Sequence, residues 1–164
     1  MTYFVKPPLK MYENADVDHY QASKTRCKTY AEYNYLRPGL ASFIKSRHFE
    51  VALKLTRQYF HRYNVIDFGC ADGVFLPSLA KYFGAVCGID KNQCFINLAQ
   101  SLVEQLALNN VKLICNQTLS IEEIRTQISA DPNYQVLFLL ETLEHIGQKE
   151  ALYESKVAFI EELL

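Results

Sequence analysis

The chain has 164 residues, of which 49% are hydrophobic and 13% aromatic, so it can bury one sizeable core and has the usual size of a single domain. Its formal net charge is only -1, with acidic and basic residues spread along the chain, which argues against a general nucleic-acid-binding or membrane-surface patch. No segment approaches the roughly 20 apolar residues that a membrane span requires, so we expect no membrane segment in this chain.

The cysteines indicate a protein with reduced thiols. Their number is odd, no two have CxxC spacing, and four of them fall in or beside segments with the composition of core strands. We therefore expect neither structural disulfides nor a zinc knuckle, and we predict a cytoplasmic location. The five positions are Cys27, Cys70, Cys87, Cys94 and Cys115.

Residues 1–39 are rich in tyrosine and polar residues and contain three prolines, which predicts an N-terminal arm with one short helix near residues 23–35. From residue 40 onward, helical and strand-like patterns alternate. Apolar residues at helical spacing predict helices over 40–61, 74–83, 93–108, 121–128 and 148–164. Short apolar runs predict strands over 64–68, 85–89, 111–115 and 135–140.

This alternation predicts an α/β fold with a doubly wound, mostly parallel sheet. Continuously apolar strands indicate burial on both faces, and amphipathic helices between them supply the two covering layers. The fourth strand would lie at an edge of the sheet although its composition favours burial on both sides. We therefore expect that the polypeptide continues beyond residue 164 or that a partner completes the sheet.

The residues just after the first and second strands predict a nucleoside site, because ligands of such sheets lie beyond the carboxyl ends of the strands. Gly69 and Gly73 bracket a turn from strand into helix, where a ligand can approach the backbone closely. Asp90 ends the second strand, where a carboxylate can accept hydrogen bonds from both hydroxyls of a ribose. The alternative is a structural turn followed by a solvated aspartate.

A dinucleotide is disfavoured at this site. Counted from Gly69, the pattern G-x-G-x-x-G has Ala71 and Val74 at its later glycine positions. The strand also ends in Asp67, whose carboxylate would repel a pyrophosphate and would tolerate a cationic sulfonium or ammonium group. An NAD(P)-dependent oxidoreductase of similar fold remains an alternative, as does a non-catalytic module that retains the fold.

The run from Val65 to Gly73 resembles the first motif of the class I S-adenosylmethionine-dependent methyltransferases, and the run from Gly88 to Asp90 resembles their second motif. The resemblance implies that residues 40–164 are the cofactor-binding part of a methyltransferase domain and that residues 1–39 are an arm or lid. It implies S-adenosylmethionine as cofactor, with Asp67 and Gly69 near its methionine end, Asp90 at the ribose, and Asn116 or Gln117 near the adenine. Asn116 and Gln117 depart from the acid that the family often has there. The full set of implied cofactor-binding residues is Asp67, Gly69, Cys70, Ala71, Gly73, Asp90, Lys91, Asn116 and Gln117.

The run from Glu141 to His145 follows the fourth strand, where this family approaches the methyl acceptor. If the chain is helical there, Glu141, Glu144 and His145 share one face and suit a divalent ion such as Mg²⁺ or Mn²⁺. The pattern E-x-x-E-H resembles the metal-binding element of small-RNA 2′-O-methyltransferases and a similar element of ubiquinone-pathway O-methyltransferases. The alternative is a metal-free acceptor pocket with Glu141 or His145 as the base. The predicted function is methyl transfer to a small-molecule or RNA nucleophile, with oxygen preferred.

Overall fold

The protein is described by a computed structural model that covers residues 2–13, 29–129, 134–142 and 152–163. The strands are β1 Asn64–Phe68, β2 Val86–Asp90, β3 Val111–Cys115 and β4 Tyr134–Phe138. The α-helices are α1 Lys10–Glu13, α2 Leu40–Thr56, α3 Leu76–Tyr82, α4 Gln93–Gln105, α5 Ile121–Ser129 and α6 Leu152–Leu163, and a π-helical segment spans Glu32–Leu36.

The four strands form one parallel sheet in the order β3-β2-β1-β4. Val65 of β1 pairs with Val86 of β2 on one side and with Val136 of β4 on the other. The strand order reverses between β1 and β4, so the carboxyl end of β1 lies at the switch point where ligands of such sheets bind. The predicted fold class is confirmed.

The two faces of the sheet are covered by different helices. Val65 and Val86 pack on one side with residues of α2, α3 and α4, among them Leu53, Leu79 and Leu102. On the opposite side, Ile66 and Ile89 pack with Ile124 of α5 and Phe159 of α6. Because consecutive strand residues point to opposite faces, the continuously apolar strands fill both layers, as the sequence predicts.

Several predicted boundaries differ from the observed ones. Helix α2 ends at Thr56 and is followed by turns, although the prediction continued to residue 61. Helix α4 ends at Gln105, three residues early, because Ala107 has a left-handed backbone with φ of 51°. Strand β4 ends at Phe138 rather than at residue 140, and helix α3 begins at Leu76 with Pro77 in its first turn.

The described N-terminal residues pack against the rest of the chain. The backbone N–H groups of Tyr3 and Phe4 donate to the carboxylate of Glu50 on α2, at 2.8 and 3.0 Å. Tyr12 and Tyr35 are fully buried in the larger core. The predicted helix over 23–35 falls in part outside the described residues, and the division of the chain at residue 39 stays a prediction. Within the described ranges, no helix is both long and apolar enough to cross a membrane.

Candidate functional site at the carboxyl ends of the strands

A cavity of about 490 Å³ opens at the carboxyl ends of the strands. It has the volume of a site for a small molecule or cofactor. Residues from the loops after all four strands and from the N-terminal segment contribute to it. Its lining comprises Tyr30, Phe68, Gly69, Ala71, Asp90, Lys91, Asn92, Phe95, Asn116, Glu141 and Thr142.

The loop after β1 brings the backbone to the cavity wall. Gly69 and Gly73 both have φ of 84°, a left-handed conformation that favours glycine. A Cβ atom on Gly69 would overlap the side chain of Thr142, and one on Gly73 would lie 3.0 Å from the Cβ of Ala99. Ala71 adopts a left-handed φ of 47° without being glycine. The sequence therefore folds here into a tight turn whose glycines are required by backbone conformation and by close packing.

Asp90 joins the second strand to this loop. One carboxylate oxygen accepts a hydrogen bond from the N–H of Ala71 at 2.9 Å, and the other accepts from the N–H of Asn92 at 2.8 Å. Burial raises the pKa of Asp90, and these backbone hydrogen bonds partly offset that rise. Because each carboxylate oxygen can accept more than one hydrogen bond, the group still has capacity for the two hydroxyls of a ribose.

Asp67 lines a second, small inner cavity of about 20 Å³. Its side chain is only 4% exposed, and burial, followed by the nearby charge of Asp90, raises its pKa to about 7. Tyr30, Gly69 and Ala71 line both cavities, so the inner cavity adjoins the larger one. A cation that reached Asp67 would stabilise the ionised carboxylate, whereas a phosphate would be repelled.

Asp72, which is not among the predicted site residues, is fully buried in the same loop. One of its carboxylate oxygens accepts a hydrogen bond from the N–H of Ala31 at 2.7 Å. The other oxygen has no hydrogen-bond partner among the residues that the structure describes. Burial raises the pKa of Asp72 to about 7, against the lowering effect of backbone hydrogen bonds. Asp72 thus connects the glycine loop to the N-terminal segment.

Most of the other predicted cofactor-binding residues line one of the two cavities, but Gln117 lines neither. Lys91 and Asn116 line the larger cavity, whereas Gln117 is exposed and does not line it. The Oδ1 atom of Asn116 is buried and lacks a hydrogen-bond partner within the described part of the chain. Cys70 lines the inner cavity, where burial raises the pKa of its thiol, so the thiolate is disfavoured.

Glu141 accepts hydrogen bonds from two tyrosines of the N-terminal segment. The hydroxyl groups of Tyr30 and Tyr35 donate to the same oxygen, Oε2, at 2.9 and 2.6 Å. The other oxygen, Oε1, lies 3.0 Å from Nε2 of His48, which is within ion-pair distance but is not aligned as a hydrogen bond. We name Tyr30, Tyr35, His48 and Glu141 the tyrosine–glutamate cluster.

The conformation and contacts of Glu141 in this cluster affect its predicted role in a methyl-acceptor and metal site. Glu141 lies in a turn with φ of 54°, so it is not part of a helix that could align it with later residues. Burial raises its pKa, but the hydrogen bonds from Tyr35 and Tyr30 and the charges of His48 and Lys45 outweigh burial and bring the pKa below its ordinary value. Glu144 and His145 lie outside the described residues. Among the residues described, no three potential ligands are close enough to hold a metal ion.

Residue spacing does not predict this cluster. Tyr30 and Glu141 are 111 residues apart, and the sequence indicates only that Tyr30 and Tyr35 belong to a tyrosine-rich arm. The enrichment of residues 1–39 in tyrosine was the only signal, and it did not identify which tyrosines reach the cavity. His48 carried no signal beyond its position on a predicted helix.

Comparison with known proteins identifies this arrangement. A family model described as a methyltransferase domain matches residues 60–162, which is more than half of the chain. The chain is 39% identical over 67 residues to human EEF1A lysine methyltransferase 2, a match that covers 40% of this chain and 27% of that protein. It is 26% identical over 97 residues to a ubiquinone biosynthesis O-methyltransferase from Coxiella burnetii, covering 59% of this chain and 38% of that protein.

Among solved structures, the chain is similar to a SAM-dependent methyltransferase from Aquifex aeolicus, with 31% identity and a TM-score of 0.38. That match covers 43% of this chain and 40% of the other. The matched part of the chain thus spans well under half the length of each of these three proteins.

Proposed function

Since the methyltransferase-domain model matches more than half of it, the chain belongs to the class I S-adenosylmethionine-dependent methyltransferases, and we propose that it binds S-adenosylmethionine and serves in methyl transfer. The proposal rests chiefly on one observation. Asp90 lines the larger cavity and Asp67 lines the inner one, and Gly69 and Ala71 of the glycine loop line both. A ligand with a ribose at one end and an ammonium group at the other matches this pair of acids.

Other residues at the two cavities also support S-adenosylmethionine as the ligand. Asn116 has a buried carbonyl oxygen that the described residues leave without a donor, and the exocyclic amine of adenine would supply one. Gln117 is exposed, so we assign the adenine contact to Asn116. The loop along which S-adenosylmethionine would lie includes Gly69, Cys70, Ala71 and Gly73.

A dinucleotide cofactor fits this site less well. Asp67 is buried at the carboxyl end of β1, close to where a pyrophosphate would meet the start of the next helix. The side chains of Ala71 and Val74 are buried at the later glycine positions of the dinucleotide pattern, so they occupy space that a pyrophosphate turn leaves free.

For the acceptor atom we propose oxygen. The ubiquinone biosynthesis O-methyltransferases act on oxygen by their name, although the human relative is named for lysine. Glu141 is poorly suited as the base because its pKa lies below its ordinary value, so His145 is the better candidate. A Mg²⁺ or Mn²⁺ ion would have to compete with two tyrosine hydroxyls for Glu141. An anomalous signal beside Glu141, Glu144 and His145 in crystals grown with Mn²⁺ would support the ion, and its absence would count against it.

We further propose a cytoplasmic location on the basis of the cysteines. All four cysteines that the structure describes, at positions 70, 87, 94 and 115, are free thiols. Reduced thiols persist in the reducing cytosol.

Isothermal titration calorimetry with S-adenosylhomocysteine and with NADH tests the proposed cofactor. We expect the first to bind and the second not to bind. Asp90→Asn keeps an oxygen for one backbone N–H but removes the charge, and should weaken binding by about 10- to 100-fold, as expected for hydrogen bonds to a charged group. Glu122→Gln is the matched control, since Glu122 is exposed on α5 and does not line the cavity.

Two results would contradict the proposal. Binding of NADH without binding of S-adenosylhomocysteine would favour an oxidoreductase of similar fold. Equal affinities for Asp90→Asn and Glu122→Gln, with unchanged circular dichroism spectra, would remove the ribose contact from Asp90.

A further inference from the structure

Helix α2 is apolar on two opposite sides, and the protein core covers only one of them. Phe49 and Leu53 are buried in the larger core. On the other side, four aliphatic side chains lie within about 60° of one another around the helix axis and are between 47% and 72% exposed. We name these four residues the outer stripe: Leu40, Ile44, Val51 and Leu55.

The turn that follows α2 exposes aromatic rings next to the outer stripe in the chain. Tyr59, Phe60 and Tyr63 are all exposed, and the ring centroid of Phe60 lies 6.5 Å from that of Tyr59 and 5.5 Å from that of Tyr63. A folded monomer rarely leaves so many large apolar side chains exposed in one region. This region therefore has the composition of a docking surface.

Basic residues accompany these apolar side chains. Between residues 40 and 63 the chain has five lysine and arginine residues and a single acid, although the net charge of the whole chain is only -1. The acid, Glu50, already accepts hydrogen bonds from two backbone N–H groups of the N-terminal segment. Arg47 and Lys54 are exposed along one side of the outer stripe, and Arg62 is exposed in the turn. The surface consequently carries a local positive charge that the net charge conceals.

This charge selects among the possible occupants of the surface. Two copies of the chain that packed their outer stripes together would bring Arg47 and Lys54 of one copy close to the same residues of the other, and like charges at an interface are unfavourable. A nucleic acid would attract the basic residues but would offer no apolar phase to Ile44 and Leu55. An occupant that is both anionic and apolar fits all of these side chains.

We propose that the outer stripe and the basic residues beside it dock on the surface of an anionic phospholipid bilayer. The aliphatic side chains enter the boundary between headgroups and acyl chains, and Arg47, Lys54 and Arg62 contact lipid phosphates. Tyr59 and Tyr63 have the amphipathic rings that are favoured at the headgroup level. The cytoplasmic leaflet of a membrane carries negative charge, so this docking agrees with the cytoplasmic location proposed above.

The inference does not rest on the proposed function. The outer stripe and its basic residues line neither of the two cavities at the carboxyl ends of the strands. Binding of S-adenosylhomocysteine and binding of vesicles are therefore separate measurements, and either can fail while the other succeeds.

Cosedimentation with vesicles tests the apolar part of the surface. The unmodified protein should bind vesicles of equal parts phosphatidylcholine and phosphatidylglycerol, and should bind far more weakly to phosphatidylcholine alone. Ile44→Gln combined with Leu55→Gln should weaken binding to the mixed vesicles by about 10- to 100-fold, because two aliphatic side chains no longer leave water. Both side chains are exposed, so the circular dichroism spectrum should not change.

A second pair of substitutions tests the charge. Arg47→Gln combined with Lys54→Gln should weaken binding to the mixed vesicles by about tenfold or more, as expected for two basic residues near an anionic surface. Arg125→Gln is the control, since Arg125 is exposed on α5, which covers the opposite face of the sheet. It should leave vesicle binding unchanged.

Several results would overturn the inference. Equal binding to both kinds of vesicle would remove the role of charge, and unchanged binding by the Ile44→Gln and Leu55→Gln variant would remove the outer stripe. If the unmodified protein binds no vesicles and light scattering shows a dimer that this variant abolishes, the occupant is a second copy of the chain.

Hydrogen exchange of the unmodified protein gives a measurement that needs no variant. Amides within residues 40–63 should exchange more slowly when the mixed vesicles are present, whereas those of α5 should not change. Slower exchange in α5 without any change in residues 40–63 would contradict the proposed surface.

Discussion

The two walls of the cavity are built in different ways. The loop wall, formed by residues 67–73 and Asp90, comes from one β-α-β unit, in which Asp90 accepts a hydrogen bond from the N–H of Ala71. The N-terminal wall is formed by Tyr30 and Glu141, which are 111 positions apart, and is supported by the other two members of the tyrosine–glutamate cluster. A local motif thus builds the wall that contains Asp90, whereas the N-terminal wall depends on contacts between distant parts of the chain.

The largest loss of stability is expected from Gly69→Ala, which adds a methyl group where the loop wall is closely packed. The new Cβ would overlap Thr142, whose hydroxyl donates to the carbonyl of Phe68 at 2.9 Å, and alanine would have to adopt φ of 84°. We expect the free energy of unfolding to fall by about 2 to 5 kcal/mol, combining left-handed strain with overpacking. Thermal unfolding followed by circular dichroism measures this change.

Gly39→Ala is the control for that variant. Gly39 also has a positive φ, 152°, but its added Cβ would meet nothing within 4 Å. If both variants lose the same stability, backbone strain alone accounts for the loss, and the close packing of the loop wall against Thr142 is unimportant.

The second prediction concerns Asp72, which belongs to the loop wall. Asp72 also accepts a hydrogen bond from the N–H of Ala31, the residue that follows Tyr30 of the N-terminal wall. Its pKa of about 7 in the folded protein lies above the ordinary value of 3.8, so the folded state binds more protons between these two values. Stability should therefore fall as pH rises from about 4 to 7, by about 1 kcal/mol per pH unit for this group, and then level off.

Asp72→Asn tests this dependence while keeping an oxygen for the N–H of Ala31. Its unfolding free energy should vary less between pH 5 and pH 8 than that of the unmodified protein. Some pH dependence of the unfolding free energy should remain in the variant, because Asp67 also has a pKa raised to about 7. An identical pH dependence in the variant would show that Asp72 does not titrate in this range.

The third prediction concerns the loop wall alone. An ammonium group beside Asp67 favours the ionised carboxylate, so affinity for S-adenosylhomocysteine should rise with pH as Asp67 loses its proton near pH 7. Between pH 6 and pH 8 the gain should be at most about tenfold, the change in the ionised fraction of one group. Calorimetry at both pH values measures it, and Asp67→Asn should abolish most of the difference. A flat profile in the unmodified protein would place the ammonium group elsewhere.

The smallest effect is expected in the N-terminal wall from His48→Gln. The side chain of His48 is 34% exposed, and its contact with Glu141 lacks hydrogen-bond alignment. We expect a loss of less than about 1 kcal/mol in the free energy of unfolding, as for partly exposed ion pairs. A larger loss in chemical denaturation would show that His48 holds Glu141 in place as firmly as the two tyrosines do.

The sequence predicted the fold well because the pattern of the strands reports burial directly. Val65 and Ile66 are both apolar because they face two different helical layers, and this continuous pattern indicates a parallel sheet. Helix ends were less predictable. Ala107 ends α4 in a left-handed conformation that glycine or asparagine usually marks, and alanine gave no such signal.

The candidate site was predictable on one wall only. Asp67 and Asp90 lie at the carboxyl ends of β1 and β2, and Gly69 directly follows β1. The apolar pattern fixes the positions of these strands, so the convergence of the three residues follows from the topology. Tyr30 reaches the cavity because Asp72 and Glu141 bind the N-terminal segment, and no local pattern encodes such a contact. The sequence predicted Glu141 as a metal ligand or base, whereas in the structure one of its oxygens accepts hydrogen bonds from both tyrosines and the other lies 3.0 Å from Nε2 of His48.

The hydrogen bond from Ala31 to Asp72 has a consequence for the order in which the chain folds. Asp72 reaches its buried position only after β1 and the loop after it have formed, so the segment around Ala31 has no docking site until then. The two partners are 41 positions apart in the sequence, so this is a contact of high sequence separation, which forms slowly. In pulsed hydrogen exchange during refolding, the amide of Ala31 should therefore gain protection after the amides of β1 and β2.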